Sequence, residues 1–433
     1  MADLQTRPRG NALIDSSTNV PQDRPDAPRW RTPALVMAAA CAIAMLGFGA
    51  RSVFGLFLEP MTSARGWGRE TFALALAVQN LMWGVALPFA GALSDRFGSP
   101  RVLALGALVY AAGIWGMTTA ESAGMLHLTA GILVGVGVAF TAFSLALAAM
   151  AKVVGPERRS LALGLGTAAG SSGQVVFSPL GQAFISAYGW QAALLFLAGS
   201  ALLIAPLAFV LPGSPAVRGA APAAEQSLPA ALREAFGHRG YALLTTGFFV
   251  CGFHVAFITV HFPAYVRDLG LSAAVGAGAI AVIGLFNILG SFASGAAGQR
   301  WSKKCGLSTI YASRAVAITA LMLLPKTAAV IYLFAAVMGV LWLSTVPLTT
   351  GIVGQIFGVR YLATLFGVVF LSHQLGSFLG VWLGGWLFDT TGSYDGVWWA
   401  GVALGLAAAV IHLPIDERPL ARRDSLAAAG SGT

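Results

Sequence analysis

Charge is scarce in this chain: only 10% of its 433 residues are Asp, Glu, Lys or Arg, and 57% are hydrophobic. A soluble globular protein carries about 25% charged residues, so water is excluded as the main solvent. Cysteine is scarcer. Cys41, Cys251 and Cys305 have no CxxC or metal-ligand spacing, and the first two lie in apolar segments, so they read as packing residues rather than a metal centre. No Gly-rich phosphate loop and no nucleophile–base pair occurs, which argues against an enzyme and a nucleotide-driven pump and implies no cofactor. The net charge of +9 is spread over loops, with no stripe of basic residues and stacking aromatics, which argues against a nucleic-acid partner. Residues 1–32 lack an apolar stretch and hence a cleavable signal; a flexible cytoplasmic tail is expected there.

What the sequence does have is a series of apolar runs of about 20 residues separated by short polar stretches. Such runs suit membrane-spanning helices and are too long for barrel strands of about 9–11 residues. Twelve spans are expected, near 34–58, 71–94, 101–120, 124–150, 160–186, 190–211, 241–265, 272–297, 307–324, 327–350, 361–387 and 394–414, which makes the fold class an all-α membrane protein. Lys and Arg number 20 in the amino tail and every second loop, whereas the alternate loops hold only Arg65, Arg69, Arg267 and Lys326. Both termini are therefore expected on the cytoplasmic side of the plasma (inner) membrane. The stretch 212–240, with Pro212, Pro215, Pro222 and Pro229, reads as a linker. The expected plan is a tail (1–32), a six-helix bundle (33–211), the linker (212–240), a second bundle (241–414) and a cytoplasmic tail (415–433).

The bundles repeat. Residues 91–98 read GALSDRFG and 295–302 read GAAGQRWS, and Gly164, Gly181 and Gly189 recur at nearly the same offset as Gly367, Gly384 and Gly392. Two matches at nearly one spacing imply a duplicated six-helix unit in parallel orientation, with the substrate site at the interface of the halves. The stretch GALSDRFGSPR resembles the loop signature of the major facilitator superfamily, GxLaDrxGrrr. Asp95, Arg96, Gly98 and Arg101 sit at signature positions, and Ser99 and Pro100 depart from it. The resemblance implies two pseudo-symmetric six-helix bundles and a conformational latch, in which Asp95 accepts from a helix amino end, Arg96 pairs across the loop, and Arg101 and Arg300 take part; the alternative is a solvated turn whose charges only set topology. A narrower resemblance, to monocarboxylate transporters and oxalate/formate-type antiporters, rests on Arg158, Arg159, Leu161, Ala162, Gly164, Gly170, Ser178, Pro179, Leu180, Tyr188, Gly189 and Trp190. It implies an organic anion as substrate.

A charged side chain at the centre of a span costs on the order of 3 kcal/mol, so each one requires a partner or a function. Arg51 lies inside the first span, and Asp and Glu occur only near span ends, as Glu59 and Asp389 do. An unpaired guanidinium invites a carboxylate held bidentately; the alternative is a structural arginine paired with Glu59. The resembled family carries a functional lysine here in the context K-x-V-x-x-x-F-x-E, and Arg51, Val53, Phe57 and Glu59 keep that context. Arg314, about eight residues into the ninth expected span, reads as structural, its head reaching the cytoplasmic interface. His254 and His373, near mid-membrane, are candidates for substrate binding and proton coupling; the alternative is a neutral imidazole bonded to a helix carbonyl. Gln374, Asn287 and Gln174 complete the expected substrate site, while Gln79 and Asn80 are as readily interhelical bonds. At Asn287 and Ser291 the resembled family carries an Asp and an Arg, so this chain departs from it where a proton site and an anion ligand would be.

These readings predict a secondary active transporter for a small organic anion, a mono- or dicarboxylate, working by alternating access with proton symport or anion exchange, as a monomer in the lipid bilayer. The alternatives are a broad-specificity exporter of amphipathic compounds and a non-transporting receptor or scaffold.

Overall fold

The computed structural model describes residues 31–151, 159–213, 227–358 and 361–420. Residues 1–30 of the amino tail, Arg158 of the basic pair, 214–226 of the linker and 421–433 of the carboxyl tail lie outside that description. Every regular element among the described residues is helical. Among the described residues, eleven helices are long and apolar enough to cross a membrane. One of them, Gly164–Ala208, has 45 residues, about 68 Å at 1.5 Å per residue and twice the length of a single crossing. It turns at Gly189, whose φ of 85° and ψ of 167° are non-helical and fall where a side chain would be strained. That run therefore crosses twice, and the crossings among the described residues number twelve.

In chain order, α1 is Pro33–Ser52, carried on by a 3-10 turn (Phe54–Phe57) and Leu58–Arg65. Helix α2 is Arg69–Phe97 and α3 is Ser99–Thr118. Helix α4 starts at Ala123–Leu126, passes a π-helical stretch (His127–Leu133) and Val134–Phe140, and ends with Phe143–Ala151. Helices α5 and α6 are the limbs of Arg159–Leu202 on either side of Gly189, α6 being extended by Ile204–Ala208. The second half contains α7 (Arg239–Asp268), α8 (Ala273–Arg300), α9 (Lys303–Leu323), α10 (Ala328–Leu341 and Thr345–Phe357), α11 (Leu362–Thr391) and α12 (Asp395–His412). Side-chain caps set several starts: the Thr32, Ser122 and Thr327 hydroxyls each accept from a backbone N–H three residues on.

Two details depart from expectation. Within the expected linker, Leu228–Gly237 is a helix: Pro229 sits in its first turn, where proline is tolerated, and Ala231 and Ala235 bury one face. Helix α10 is broken at residues 342–344 and runs on to Phe357, past the expected 350.

Each half has its own buried core, one built mostly from residues between Val36 and Leu211, the other from residues between Ala235 and Ile415. The halves meet where small residues let backbones approach. A Cβ on Gly55 of α1 would overlap the Thr259 and Val260 backbone of α7, and one on Gly385 of α11 would lie 2.6 Å from Ala73 of α2. The Ser178 hydroxyl of α5 donates to the Ala277 carbonyl of α8 at 2.8 Å.

Candidate substrate site

Arg51 lies 18 residues after Pro33, about 27 Å along α1, and is partly exposed between the halves. Its Nη2 donates to Asn80 Oδ1 of α2 at 2.6 Å, and its guanidinium lies 4.4 Å from the centre of the Trp83 ring, one turn further along α2. Asn80 is itself fixed, its Nδ2 donating to the Leu76 carbonyl at 2.8 Å. The guanidinium is thus oriented by a neutral amide and an aromatic face, neither of which cancels its charge. The alternative pairing with Glu59 does not form: Glu59 is instead ion-paired with Arg267 of α7, a carboxylate oxygen lying 2.8 Å from Nε.

From Trp83 the site passes to the other half. The Trp83 ring meets Phe370 of α11 edge-on at 5.2 Å, and Phe370 stacks on His373 at 5.6 Å with 10° between planes. His373 Nδ1 lies 3.1 Å from Gln374 Oε1, which also accepts from the Ser377 hydroxyl at 3.4 Å. Gln374 is fully buried against Gly84 of α2. Among the described residues, Trp83 Nε1 and Gln374 Nε2 are buried donors without acceptors. Arg51, His373 and Gln374 are therefore brought together, through Asn80, Trp83 and Phe370. Trp83 and Phe370 gave no signal in the sequence, since aromatic residues in an apolar run look like core. The polarity of Asn80 was visible there, but its pairing with Arg51 was not.

Asn287 and Gln174 lie together elsewhere, along the α5–α8 seam. Asn287 is fully buried; it donates to the Ser171 hydroxyl of α5 at 3.0 Å and accepts from the Leu343 N–H at 3.1 Å, at the break in α10. Ser291 donates to it at 3.2 Å. Gln174 packs against Gly284 of α8, its Oε1 without a partner among the described residues.

His254 lies apart from both groups. Its ring is buried between α7 and α12, Nε2 bonded to the Gly401 carbonyl at 2.8 Å, which is the helix-carbonyl alternative and not a place beside Arg51. His261 is likewise held, by the Val381 carbonyl at 2.8 Å and the Tyr394 hydroxyl at 3.2 Å. Arg314 corrects a second expectation. Its head does not reach an interface: the residue is fully buried, 11 residues after Lys303, and Nη2 donates to the Leu341 and Trp342 carbonyls at 2.7 and 2.6 Å. The break in α10 frees those carbonyls, and a cation suits the carboxyl end of a helix.

The two ends of the interface differ. At the end away from the termini, Arg69 of α2 grips Asp268 of α7 bidentately at 2.6 and 2.7 Å and donates to the Tyr394 hydroxyl at 2.9 Å. Asp389 of α11 accepts the Arg69 and Glu70 backbone N–H groups at 2.9 and 2.8 Å, capping α2 from the opposite half. Trp382 Nε1 adds a bond to Glu70 at 3.0 Å. At the terminal end the expected latch pairs do not form among the described residues. Asp95 and Arg300 are exposed with no ion pair among the described residues, Arg96 lies over the Phe97 ring, and Arg101 only approaches the Phe97 carbonyl at 3.5 Å. The buried contact in that loop is between the Ser94 and Ser99 hydroxyls, 2.9 Å apart.

The sequence profile of the Major Facilitator Superfamily matches residues 37–380. The chain is 24% identical over 395 residues to the uncharacterized MFS-type transporter YcxA of Bacillus subtilis (strain 168), covering 85% of this chain and 91% of that one. It is 29% identical over 385 residues to monocarboxylate transporter 11 of Mus musculus, covering 83% and 82%. Among solved structures, a D-xylose–proton symporter matches with a TM-score of 0.71 at 15% identity, over 89% of this chain and 99% of that one. An inward-facing, occupied bacterial homologue of the human lysosomal transporter Spinster matches at 0.69 and 14% identity, over 89% and 97%. Twelve crossings in two halves, a polar site between them and a family profile over most of the length agree: the chain belongs to the Major Facilitator Superfamily and is a multi-pass membrane transporter similar to monocarboxylate transporters.

Proposed function

We propose that this protein is a secondary active transporter that carries a small organic anion, a mono- or dicarboxylate, by alternating access. The observation that carries the reading is Arg51, a guanidinium between the halves whose neighbours, Asn80 and Trp83, orient it without neutralising it. A carboxylate completes such a site by accepting from Arg51, with the buried Trp83 Nε1 and Gln374 Nε2 as further donors. Because Gln374 stands on α11 and Arg51 and Trp83 on α1 and α2, a bound anion would tie the two halves together, as alternating access requires. The similarity to monocarboxylate transporters points the same way. On the basic bias of the loops, the termini are cytoplasmic and the clasp around Arg69 closes the outer face of the plasma (inner) membrane. The unpaired latch residues then belong to an inward-open state. His373 is the histidine positioned to move a coupled proton; exchange against a second anion needs no such group.

The test is binding and transport by Arg51→Gln. Loss of a charge-assisted pair is worth about 1.5–3 kcal/mol, or roughly 10- to 150-fold in affinity. Thermal stabilisation by carboxylates and their counterflow into proteoliposomes should both weaken to that extent, while the unliganded melting temperature stays close to that of the parent. Unchanged affinity would remove Arg51 from the site.

A further inference from the structure

The surroundings of Arg51 narrow the anion further, on the reading just given. Five rings run continuously from the guanidinium into the second half. Trp83 meets Phe370, Phe370 stacks on His373, His373 lies 5.1 Å from Phe248 of α7, and Phe366 of α11 lies 6.0 Å from Phe248 and 6.5 Å from Phe370. Phe248 is buried behind the others, whereas Trp83, Phe366 and Phe370 keep part of their surface free. A wall of half-covered rings beside a cation is complementary to a ligand with a flat apolar body and an anionic head.

The polar atoms restrict the head. Of the amide oxygens in this group, Asn80 Oδ1 accepts from Arg51, and Gln374 Oε1 from His373 and Ser377. Among the described residues, the buried polar atoms of this group left without partners are both donors, Trp83 Nε1 and Gln374 Nε2. The carboxylate nearest to Arg51 along α1, Glu59, stands two turns further on and is paired with Arg267. A zwitterion would bring its ammonium beside the Arg51 guanidinium and two unpartnered donors, which is unfavourable.

We propose that the site selects aryl carboxylates lacking an α-ammonium group, with the carboxylate on Arg51, Trp83 Nε1 and Gln374 Nε2 and the ring packed on Trp83, Phe366 and Phe370. Selectivity for the ring comes from edge and face contacts that a saturated ring of equal size cannot reproduce.

The experiment is a binding series on the purified full-length protein, by thermal shift and isothermal titration, with phenylacetate, cyclohexylacetate, acetate and phenylalanine. Phenylacetate should bind about tenfold more tightly than acetate and several-fold more tightly than cyclohexylacetate, the return expected of two further ring contacts. Phenylalanine should not bind measurably. In Phe370→Leu the ratio of phenylacetate to cyclohexylacetate affinity should fall towards one, a readout that loss of folded protein would not produce. If acetate or cyclohexylacetate binds as well as phenylacetate, the aryl inference is overturned while the Arg51 reading stands. If none of these carboxylates binds, both readings fail together.

Discussion

His254 and His373 have the same side chain in different surroundings, and their variants should separate accordingly. His254 is buried between α7 and α12 with one nitrogen on the Gly401 carbonyl. Replacing it with Gln disturbs a packed hydrogen bond, at a cost of about 1–3 kcal/mol. The melting temperature of His254→Gln should fall, and anion affinity measured per folded molecule should not. His373 stacks on Phe370 and bonds Gln374, so His373→Gln should weaken anion binding by about tenfold, the scale of one buried polar contact. Loss of affinity in His254→Gln at unchanged stability would contradict this placement. From sequence both histidines read alike, since depth along a span is legible and direction around it is not. Arg51 was legible because charge is rare in an apolar run, but Trp83 was not, because nothing in the order of residues distinguishes a ring that faces a site from one that faces a neighbour.

Helix lengths were legible for a physical reason: hydrocarbon thickness fixes how many apolar residues a crossing needs. Breaks within helices were less so. The gap in α10 follows from tertiary partners, with Arg314 holding the Leu341 and Trp342 carbonyls and Asn287 the Leu343 N–H. The same dependence on partners governs the α7–α11 crossing that positions His373 and Gln374. A Cβ on Gly252 would overlap the His373 carbonyl, and one on Gly376 the Phe249 carbonyl, backbone against backbone. Neither carbonyl can rotate away as a flexible side chain could. Gly376→Val should therefore force the helices apart, at or above the upper end of the about 1–3 kcal/mol typical of overpacking. It should also lower anion affinity, because His373 and Gln374 move with α11. Differential scanning fluorimetry alongside ligand titration checks both. A variant of parental stability and affinity would mean that the crossing is looser than this geometry.

The duplication was visible in sequence because the repeat motifs lie at nearly one spacing, yet the clasp joining the halves was not. Arg69, Asp268 and Asp389 stand at span ends, where charge is inexpensive and reads only as topology. Assembled, they form a bidentate ion pair and a helix cap donated across the interface. On the alternating-access reading, these bonds exist only while that face is closed, so they weight the equilibrium between the two access states. Charge-assisted bonds of this kind are worth about 1.5–3 kcal/mol each, and a change of 1.4 kcal/mol shifts a two-state ratio tenfold. Asp268→Asn removes one charge and half of the bidentate geometry, so it should move the population by about tenfold or more towards the state open at that face. Val260 reports on this, being buried against Gly55 at the closed face. In a background otherwise free of cysteine, V260C should react slowly with a membrane-impermeant maleimide added at that face, and about tenfold faster once Asp268→Asn is introduced. A bound anion that ties the halves together should slow labelling again in both proteins. Equal labelling rates with and without Asp268→Asn would mean that apolar packing along α1–α7 and α2–α11 holds this face shut and that the ion pair follows closure without driving it.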